Sequence, residues 1–403
     1  MLNKKNINTK IELSKKLSER LLEILQDLEV ILKEENKKIT KDTQFSIEYD
    51  FECIKKYLAG YVDSVRGIFE KKLKAKGSIL IILSYNEPFI LSIIPILNAV
   101  LAGNDVVVKP SGKCYEFFKK IWFDSGLIKE LDLPIKILEK LNESEVRTAI
   151  SLSDCVYFFG SSKNAEKIYQ VCSELFVEFI PEIETSDCKV FKFDNPSDEF
   201  IKQDCESTLI QSFSHAGQTC QRISGIFVQE NNFISYCEKI KESFIKLKNK
   251  QGIDKLIEPG FVVDGLYEQK ILEDIYAANP VEMVKDEDYL SKIVINPNVS
   301  SEFIKNGYFY PVLWIVPFKN FDSLCAILND RKFYLGLNLC SDDQFFIDSL
   351  ISETKFTRYT INVTHTDTEL DEGWGGRWPS GSGGYKSWIE HFSFSFNIIK
   401  SNK

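Results

Sequence analysis

The segment Ser78-Ile-Leu-Ile-Ile-Leu-Ser84 is a continuous apolar run, which is the pattern of a strand covered on both faces of a sheet. A helical pattern follows it from Pro88 to Leu101, and Asp105-Val-Val-Val-Lys109 then reads as the next strand. Further apolar runs at Pro134–Leu138 and Asp154–Phe159 continue the series. Strands that alternate with helices in this way predict an α/β protein with a parallel sheet and right-handed crossovers.

Further regions flank this first α/β series. Residues 10–75 carry apolar residues at helical spacing and are expected to be mostly helical, with a solvated charged turn at Lys71–Lys76. A second α/β series is expected to begin at Cys188–Phe193 and to extend through the strand Thr357–Val363. The final segment, Phe392–Ile399, alternates apolar and polar residues and is expected to form an edge strand.

The composition argues against several classes of function. The chain has 403 residues, of which 44% are hydrophobic, so it can bury a large core divided between two domains. Its net charge of −9, without a strongly basic stretch, argues against a nucleic-acid partner. The most apolar region, 78–103, is interrupted by polar residues and prolines, so no membrane span is expected.

Cysteine and histidine usage indicates the redox compartment and argues against a metal site. Ten cysteines without regular spacing fit reduced thiols. The N-terminus also lacks the apolar core of a signal peptide, so a cytoplasmic location is predicted. There are three histidines and neither CxxC nor HExxH spacing, so no metal site is expected.

The segment His215-Ala-Gly-Gln-Thr-Cys220 lies between a predicted helix, Ser197–Phe213, and a predicted strand, Ile223–Gln229. A thiol on such a short glycine-containing link can face a cleft while rigid neighbours hold it in place. A thiolate is the strongest ordinary protein nucleophile near neutral pH, and it adds to carbonyl carbons. Cys220 is therefore a candidate nucleophile, and the alternative is a small core residue.

Other candidate residues follow the predicted strands of the first series. Ligands bind at the carboxyl edge of open α/β sheets, where Asn86 could donate to an oxyanion and Lys109 could contact a ribose or a phosphate. Gly160 and Ser161 open a helix, and helix N-termini attract anions. Glu182 could act as a general base. The structural alternatives are turn chemistry before a proline, a solvated lysine, an ordinary helix start and a surface carboxylate.

Taken in order, a series of segments resembles the signature motifs of the aldehyde dehydrogenase superfamily. They read Ser84-Tyr-Asn-Glu-Pro-Phe89, Val100-Leu-Ala-Gly-Asn-Asp-Val-Val-Val-Lys-Pro-Ser111, Phe158-Phe-Gly-Ser161, Phe213-Ser-His-Ala-Gly-Gln-Thr-Cys220, Tyr308-Phe-Tyr-Pro-Val-Leu313 and Gly373-Trp-Gly-Gly-Arg-Trp-Pro-Ser-Gly-Ser-Gly383. The resemblance extends from about residue 15 to about residue 385. It implies a Rossmann-like cofactor domain, an α/β catalytic domain of the aldehyde dehydrogenase type and a reduced oligomerisation element.

The resemblance also implies domain boundaries. Residues 1–186 would hold the N-terminal helices and the nicotinamide cofactor-binding domain, and residues 187–385 would hold the catalytic domain with its cysteine nucleophile. Residues 386–403 would form a C-terminal tail that could add an oligomerisation strand. Little precedes the first helices, so the family's leading strands are expected to be missing. A homodimer is therefore considered in place of the family's usual tetramer.

The implied reaction is oxidation of an aldehyde to a carboxylate with NAD or NADP and no metal. Cys220 would form a thiohemiacetal and then a thioester, and Glu182 would activate the water that releases the product. Asn86 and the backbone N–H of Cys220 would stabilise the oxyanion. The residues that would contact the cofactor are Lys109, Ser111, Gly160, Ser161 and Phe309.

The sequence departs from the family pattern near the cofactor. The two glycines after the expected base are replaced by Glu184 and Thr185. Gly112 replaces the acid that usually holds the adenosine ribose, so NADP would be tolerated with Lys113 beside it. Gly307 occupies the position of a second ribose-binding glutamate, so that contact is expected to be missing.

Two alternative functions follow from these departures. A reductase of an acyl thioester, from coenzyme A or a carrier protein, would use the same thiol and oxyanion site without a water-activating base. A catalytically inactive member could keep the fold as a binding protein. His215 stands where the family has an asparagine, and its expected role is either proton transfer or loop packing.

Overall fold

The structure is a computed structural model that describes residues 4–35, 41–112, 115–139, 141–183, 185–249, 265–285, 291–331, 333–365, 372–381 and 386–396. Several positions discussed above lie outside this range, namely Lys113, Glu184 and the end of the glycine cluster at 382–384. The side chain of His215 also lies outside it, so the role of this residue stays a prediction.

From residue 78 onwards, most of the described strands are separated by helices. The strands are β1 Leu73–Ala75, β2 Ser78–Ile82, β3 Asp105–Lys109, β4 Ile135–Ile137, β5 Cys155–Gly160, β6 Glu178–Ile183, β7 Cys188–Lys192, β8 Gly225–Gln229, β9 Glu282–Lys285, β10 Lys292–Ile295, β11 Val312–Phe318, β12 Gly336–Ser341, β13 Arg358–Ile361 and β14 Ser393–Ser395. The helices are α1 Lys4–Glu35, α2 Lys41–Phe69, α3 Pro88–Ala102, α4 Tyr115–Lys119, α5 Leu127–Glu130, α6 Glu143–Ser151, α7 Ser162–Leu175, α8 Asp198–Phe213, α9 Glu230–Asn249, α10 Gly265–Ala277, α11 Glu302–Lys305, α12 Phe321–Asn329, α13 Gln344–Glu353 and α14 Trp388–His391.

The first sheet is parallel throughout and has the strand order β4-β3-β2-β5-β6. The apolar run in β2 is covered on both faces, as the sequence predicted. Ile79 and Ile81 pack in a core with α1, α2 and α3, whereas Leu80 faces a second core with α6 and α7. All three side chains are at most 1% exposed. The carboxyl edge of this sheet is therefore held rigidly.

The second sheet has the order β13-β12-β7-β8-β11-β10-β9 and is parallel except for β9, which runs antiparallel to β10. Two cores cover its faces, one of which includes Phe227, Trp314 and Leu339 and the other Phe191, Ile226 and Leu313. Burial on both faces explains why these strands are apolar runs without alternation. The α/β class with parallel sheets is thus confirmed.

The charged segment Lys71–Lys76 was expected to be a solvated turn, and this interpretation is wrong. It contains β1, which pairs antiparallel with β14 from the C-terminal end of the same chain. Lys74 is exposed, whereas Leu73 and Ala75 on either side of it are half-buried. The partner strand lies more than three hundred residues away along the chain, so local composition could not indicate the pairing.

The two N-terminal helices pack against each other and against α3. Leu21, Leu25, Ile54 and Leu58 are at most 1% exposed in the shared core. This burial explains the apolar stripes in the sequence. None of the helices within the described residues is both long enough and apolar enough to cross a membrane.

Candidate active site

The carboxyl ends of three strands meet at one edge of the first sheet. Ile82 at the end of β2 is in register with Lys109 on β3 and with Phe158 on β5. The loop after β2 carries Asn86, and Ser161 directly follows β5. The fold therefore brings these predicted residues to one edge, as expected for a parallel sheet.

Cys220 lies on the link between α8 and β8, where the sequence placed it. Gly217 on this link has a φ of +68°, and a Cβ atom there would lie 2.6 Å from the carbonyl oxygen of Tyr310. Glycine is therefore required by both backbone conformation and space. The hydroxyl of Thr185 donates a hydrogen bond to the carbonyl oxygen of Cys220. The cysteine is thus held between the segment before β11 and the link between β6 and β7.

Asn86 joins the two sheets at the site. Its side-chain Nδ2 donates a hydrogen bond of 3.1 Å to the carbonyl oxygen of Gln218, two residues before the cysteine. The hydroxyl of Ser84 donates to Asn86 Oδ1 at 2.7 Å, which orients the amide. An amide nitrogen carries two hydrogens, so Asn86 has a further donor for an oxyanion next to the thiol.

Glu182 lies inside strand β6, not on a surface loop. Pro181 would be unfavourable in a central strand, because proline has no backbone N–H to donate. It is tolerated here because β6 is at the edge of its sheet. Glu182 Oε1 accepts a hydrogen bond of 3.2 Å from the Tyr157 hydroxyl, and Oε2 accepts one of 2.9 Å from Trp374 Nε1. Burial raises the pKa of this carboxyl to about 8, although both hydrogen bonds lower it. The expected base is therefore mostly protonated at neutral pH, and its ionised fraction grows as the pH approaches 8.

The surroundings of Cys220 oppose formation of a thiolate. Burial raises the pKa of the thiol well above its usual value. The negative charges of Glu87, Asp187 and Glu182 raise it further, in that order, while a backbone hydrogen bond lowers it. A base is consequently needed to remove the thiol proton at neutral pH.

Asp187 is a buried carboxylate whose charge acts on the Cys220 thiol. Its Oδ2 lies 3.1 Å from His365 Nε2, and its Oδ1 accepts a hydrogen bond of 2.9 Å from the backbone of Gly336. The His365 Nδ1 lies 2.7 Å from the Thr360 hydroxyl. Both members of the Asp187–His365 pair are at most 1% exposed. These partners hold the carboxylate in place, so it acts on the thiol through its charge.

The residues expected to hold a cofactor lie at the carboxyl edge of the first sheet. Lys109 is half-buried, burial lowers the pKa of its ammonium group, and no ion pair to a described side chain compensates it. Ser161 caps the fourteen-residue helix α7 by accepting from the backbone of Asn164. A half-buried cation at the same sheet edge as a helix N-terminus fits the ribose and pyrophosphate of a dinucleotide.

The remaining predicted cofactor residues are more widely spread. Gly160 ends β5, and a Cβ atom there would lie 2.7 Å from the ring of Phe158. Ser111 is half-buried in the loop after β3. Phe309 lies elsewhere, before β11, where its backbone N–H donates to the Tyr267 hydroxyl at 3.0 Å. The backbone of the adjacent Tyr310 lies close to Gly217 on the cysteine link, and a cofactor contact at Phe309 stays a prediction.

Gly307 leaves no room for the side chain of the expected ribose-binding glutamate. A Cβ atom at this position would lie 2.1 Å from the carbonyl oxygen of Thr185. Any side chain would displace this backbone segment, whose Thr185 hydroxyl bonds to the cysteine link. The close approach of Gly307 to Thr185 is therefore incompatible with the second ribose-binding side chain that the family has at this position.

Sequence reasoning did not single out Tyr157, Trp374, Thr185 or Glu87 as site residues. The first two bond to Glu182 from positions 25 and 192 residues away, so spacing gave no signal. The sequence did carry a signal for Glu87, because this carboxylate directly follows Asn86 in a loop at the strand edge. Within the described residues, no group of three or more His, Cys, Asp and Glu side chains could hold a metal ion.

Comparison with known proteins identifies the fold of this site. The structure resembles the substrate-bound state of Staphylococcus aureus AldH with a TM-score of 0.73 and 22% identity, over 97% of this chain and 91% of that one. It resembles lactaldehyde dehydrogenase from Escherichia coli with a TM-score of 0.74 and 17% identity, over 96% of this chain and 85% of that one. An aldehyde dehydrogenase of Mycobacterium tuberculosis complexed with NAD+ matches with a TM-score of 0.72 and 14% identity, over 94% of this chain and 84% of that one.

The sequence comparisons agree. A 4,4'-diaponeurosporen-aldehyde dehydrogenase of Staphylococcus aureus is 26% identical over 350 residues, which are 82% of this chain and 72% of the relative. A 4,4'-diapolycopene aldehyde oxidase of Methylomonas sp is 23% identical over 337 residues, 80% of this chain but 61% of the relative. The model of the family described as "Aldehyde dehydrogenase family" matches residues 2–399. The expected resemblance is confirmed, and the chain belongs to the aldehyde dehydrogenase family.

Proposed function

We propose that this protein oxidises an aldehyde to a carboxylate with NAD or NADP, through a thiohemiacetal and a thioester on Cys220. The observation that carries the proposal is the convergence of Asn86, Cys220 and Glu182. Asn86 bonds to the cysteine link, and the charge of Glu182 acts on the thiol. These interactions support the proposal that a nucleophile, an oxyanion donor and a base act together at one site.

The chain's residues have distinct roles in this reaction. Cys220 adds to the carbonyl carbon, and Asn86 with the Cys220 backbone N–H stabilises the charge that develops on oxygen. Glu182 takes a proton from the water that hydrolyses the thioester. Lys109, Ser111, Gly160, Ser161 and Phe309 hold NAD or NADP, which supplies the hydride acceptor when bound.

The domain boundaries expected from the resemblance belong to the same proposal. The first parallel sheet lies within residues 1–186, and the second lies within residues 187–385. Residues 386–403 contribute β14, which pairs with β1 of the same chain in the described part. A homodimer and a cytoplasmic location stay predictions.

The test combines calorimetric binding of NAD and NADP with rapid-mixing kinetics on a panel of short, long-chain and aromatic aldehydes. The wild type should bind at least one cofactor and should show a burst of reduced cofactor followed by steady turnover. Glu182→Gln should keep the burst and lose at least about 10²-fold in steady turnover, because hydrolysis needs the base. Cys220→Ser should lose both phases while its cofactor affinity is unchanged.

Two other outcomes would contradict the proposal. Reduction of an acyl-coenzyme A that is insensitive to Glu182→Gln, without aldehyde hydrolysis, would support the acyl-thioester reductase. This alternative is favoured by one observation, the two hydrogen bonds that restrain Glu182. No binding of either cofactor at millimolar concentration would indicate an inactive binding protein.

A further inference from the structure

Glu87 occupies an unusual position beside the cysteine link. It is the residue that precedes the first turn of α3, yet its side chain makes no capping hydrogen bond. In contrast, Asn142, Ser161 and Ser197 all cap their helices with side-chain oxygens. The adjacent Asn86 is hydrogen-bonded to the backbone of Gln218, so the loop that carries Glu87 packs against the link.

The Glu87 carboxyl also differs from that of Glu182. Both oxygens of Glu182 accept hydrogen bonds, whereas Glu87 has no side-chain hydrogen bond or ion pair to the described residues. Burial alone raises the pKa of Glu87 to about 7. Of the three carboxylates that act on the Cys220 thiol by charge, Glu87 has the largest effect.

We propose that Glu87 is a second acid–base group of the active site, which takes the proton from the Cys220 thiol when the sulfur adds to the substrate carbonyl. The inference rests on the proposed function of this site. As the S–C bond forms, the S–H proton passes to the Glu87 carboxylate, directly or through one water, and the carbonyl π pair moves to the oxygen near Asn86. When the thioester is later hydrolysed, Glu87 returns the proton to the departing sulfur. Cys220 and Glu87 are therefore back in their starting protonation states after one turnover, and the proton that Glu182 takes from water is released to solvent.

Electrostatics explains why a carboxylate suits this task despite repelling a thiolate. Burial and the fixed charge of Asp187 both disfavour a second negative charge at the site. Proton transfer from sulfur to Glu87 leaves the total charge of the pair unchanged, so one negative charge is shared between them. Two groups that interact in this way titrate in two macroscopic steps that belong to the pair. Glu182 is left to act on water in the hydrolytic half of the reaction.

The test measures the pH dependence of Cys220 alkylation by iodoacetamide, followed by mass spectrometry of the peptide, with no aldehyde or cofactor present. The wild type should show two rises in rate, one near pH 7 and one at alkaline pH. Glu87→Gln should lose the rise near pH 7 and show a single alkaline rise at lower pH than the second wild-type rise. Glu182→Gln is the matched control. It removes the carboxylate that is held by two hydrogen bonds, and it should keep both rises in alkylation rate.

A second measurement separates proton transfer from a merely structural role. Single-turnover formation of reduced cofactor should fall about 10²-fold in Glu87→Gln, although its thiol ionises more readily in the alkaline range. Glu87→Asp, which keeps a carboxylate, should keep the rise near pH 7. Melting curves of both variants should match the wild type at pH 5, because the replaced side chain makes no hydrogen bond to the described residues.

The two proposals fail in different ways. Persistence of the rise near pH 7 in Glu87→Gln, or its loss in Glu182→Gln, would overturn the inference even if the protein oxidises aldehydes. A protein that oxidises no aldehyde but shows the expected alkylation profiles would contradict the proposed function and leave the Glu87–Cys220 pair supported.

Discussion

At the scale of single residues, the two glutamates show how position changes an ordinary side chain. Glu182 is 8% exposed and bonded to Tyr157 and Trp374, whereas Glu87 is half-buried and has neither partner. Burial raises the pKa of both, to about 8 and about 7 respectively. Each is therefore able to exchange protons near neutral pH, which an exposed glutamate does poorly.

The raised pKa of Glu182 predicts a stability that depends on pH. In the unfolded chain the carboxyl ionises near its usual pKa of 4.5, while the folded protein keeps the proton until about pH 8. The folded state therefore binds more protons between these values, so its free energy of unfolding falls as pH rises through this window. Glu182→Gln removes this pH-dependent loss of stability. The melting temperature of the variant minus that of the wild type should therefore increase steadily from pH 5 to pH 8.

The measurement is thermal melting of both proteins in the same buffers at several pH values. Glu87 contributes in the same direction up to about pH 7, and comparing the two proteins at equal pH cancels this contribution. A melting-temperature difference that stays constant across the range would show that Glu182 has an ordinary pKa in the folded protein.

At the scale of elements, the site is a set of links held together by close backbone contacts. A Cβ atom at Gly217 would lie 2.6 Å from the carbonyl oxygen of Tyr310, and one at Gly307 would lie 2.1 Å from that of Thr185. Thr185 in turn bonds to the carbonyl of Cys220. The helix-to-strand link, the segment before β11 and the β6–β7 link are therefore packed together as one unit.

Gly217→Ala should disturb this unit at its centre. The φ of +68° strains any residue with a side chain, and the added methyl would lie 2.6 Å from the Tyr310 carbonyl oxygen. We expect a loss of about 1–3 kcal/mol in the free energy of unfolding. We also expect altered alkylation kinetics at Cys220, measured by urea denaturation and mass spectrometry respectively.

Gly67→Ala in α2 is the matched control, because its added methyl meets no atom within 4 Å. It should leave Cys220 reactivity unchanged and slightly stabilise the protein, since alanine favours a helix interior more than glycine. Equal effects of the two substitutions would contradict the contact between Gly217 and Tyr310.

At the scale of the whole molecule, the two ends of the described chain share one core. Ile389 and Phe392 pack in the same cluster as Leu21 and Leu58 from the N-terminal helices. Asn104 Nδ2 donates to the carbonyl oxygen of Phe392 at 2.9 Å, and β14 pairs with β1. Trp388 stacks on Trp374, the indole that bonds to Glu182, at 6.1 Å between ring centroids. The C-terminal segment thus connects the N-terminal core to the site.

Phe392→Ala should therefore destabilise the protein well beyond its own segment. The side chain is fully buried, and the cavity left by its removal should lower the free energy of unfolding by about 3–5 kcal/mol. We expect a lower melting temperature together with reduced steady turnover at temperatures below melting. Phe394→Ala is the control, because that ring is 48% exposed and should change the melting temperature little. Similar melting temperatures for the two variants would refute the shared core.

Much of the fold and part of the site could be predicted from sequence because the signals are local. Continuous apolar runs such as Ser78–Ser84 indicate buried strands, and the strand-helix alternation indicates a parallel sheet. The carboxyl ends of parallel strands share an edge, so Asn86 and Lys109 could be expected there before any coordinates. The glycine before Cys220 likewise indicated a tight link.

Only the tertiary structure decided the environment of each group. Trp374 reaches Glu182 across 192 residues, and β14 reaches β1 across the length of the chain, with no local pattern to reveal either contact. The pKa of a carboxyl depends on burial and on neighbouring charges, which packing creates. The sequence by itself determined which chemical groups are present and which strands carry them, whereas packing decided that Glu87 and Glu182 surround Cys220 in different states.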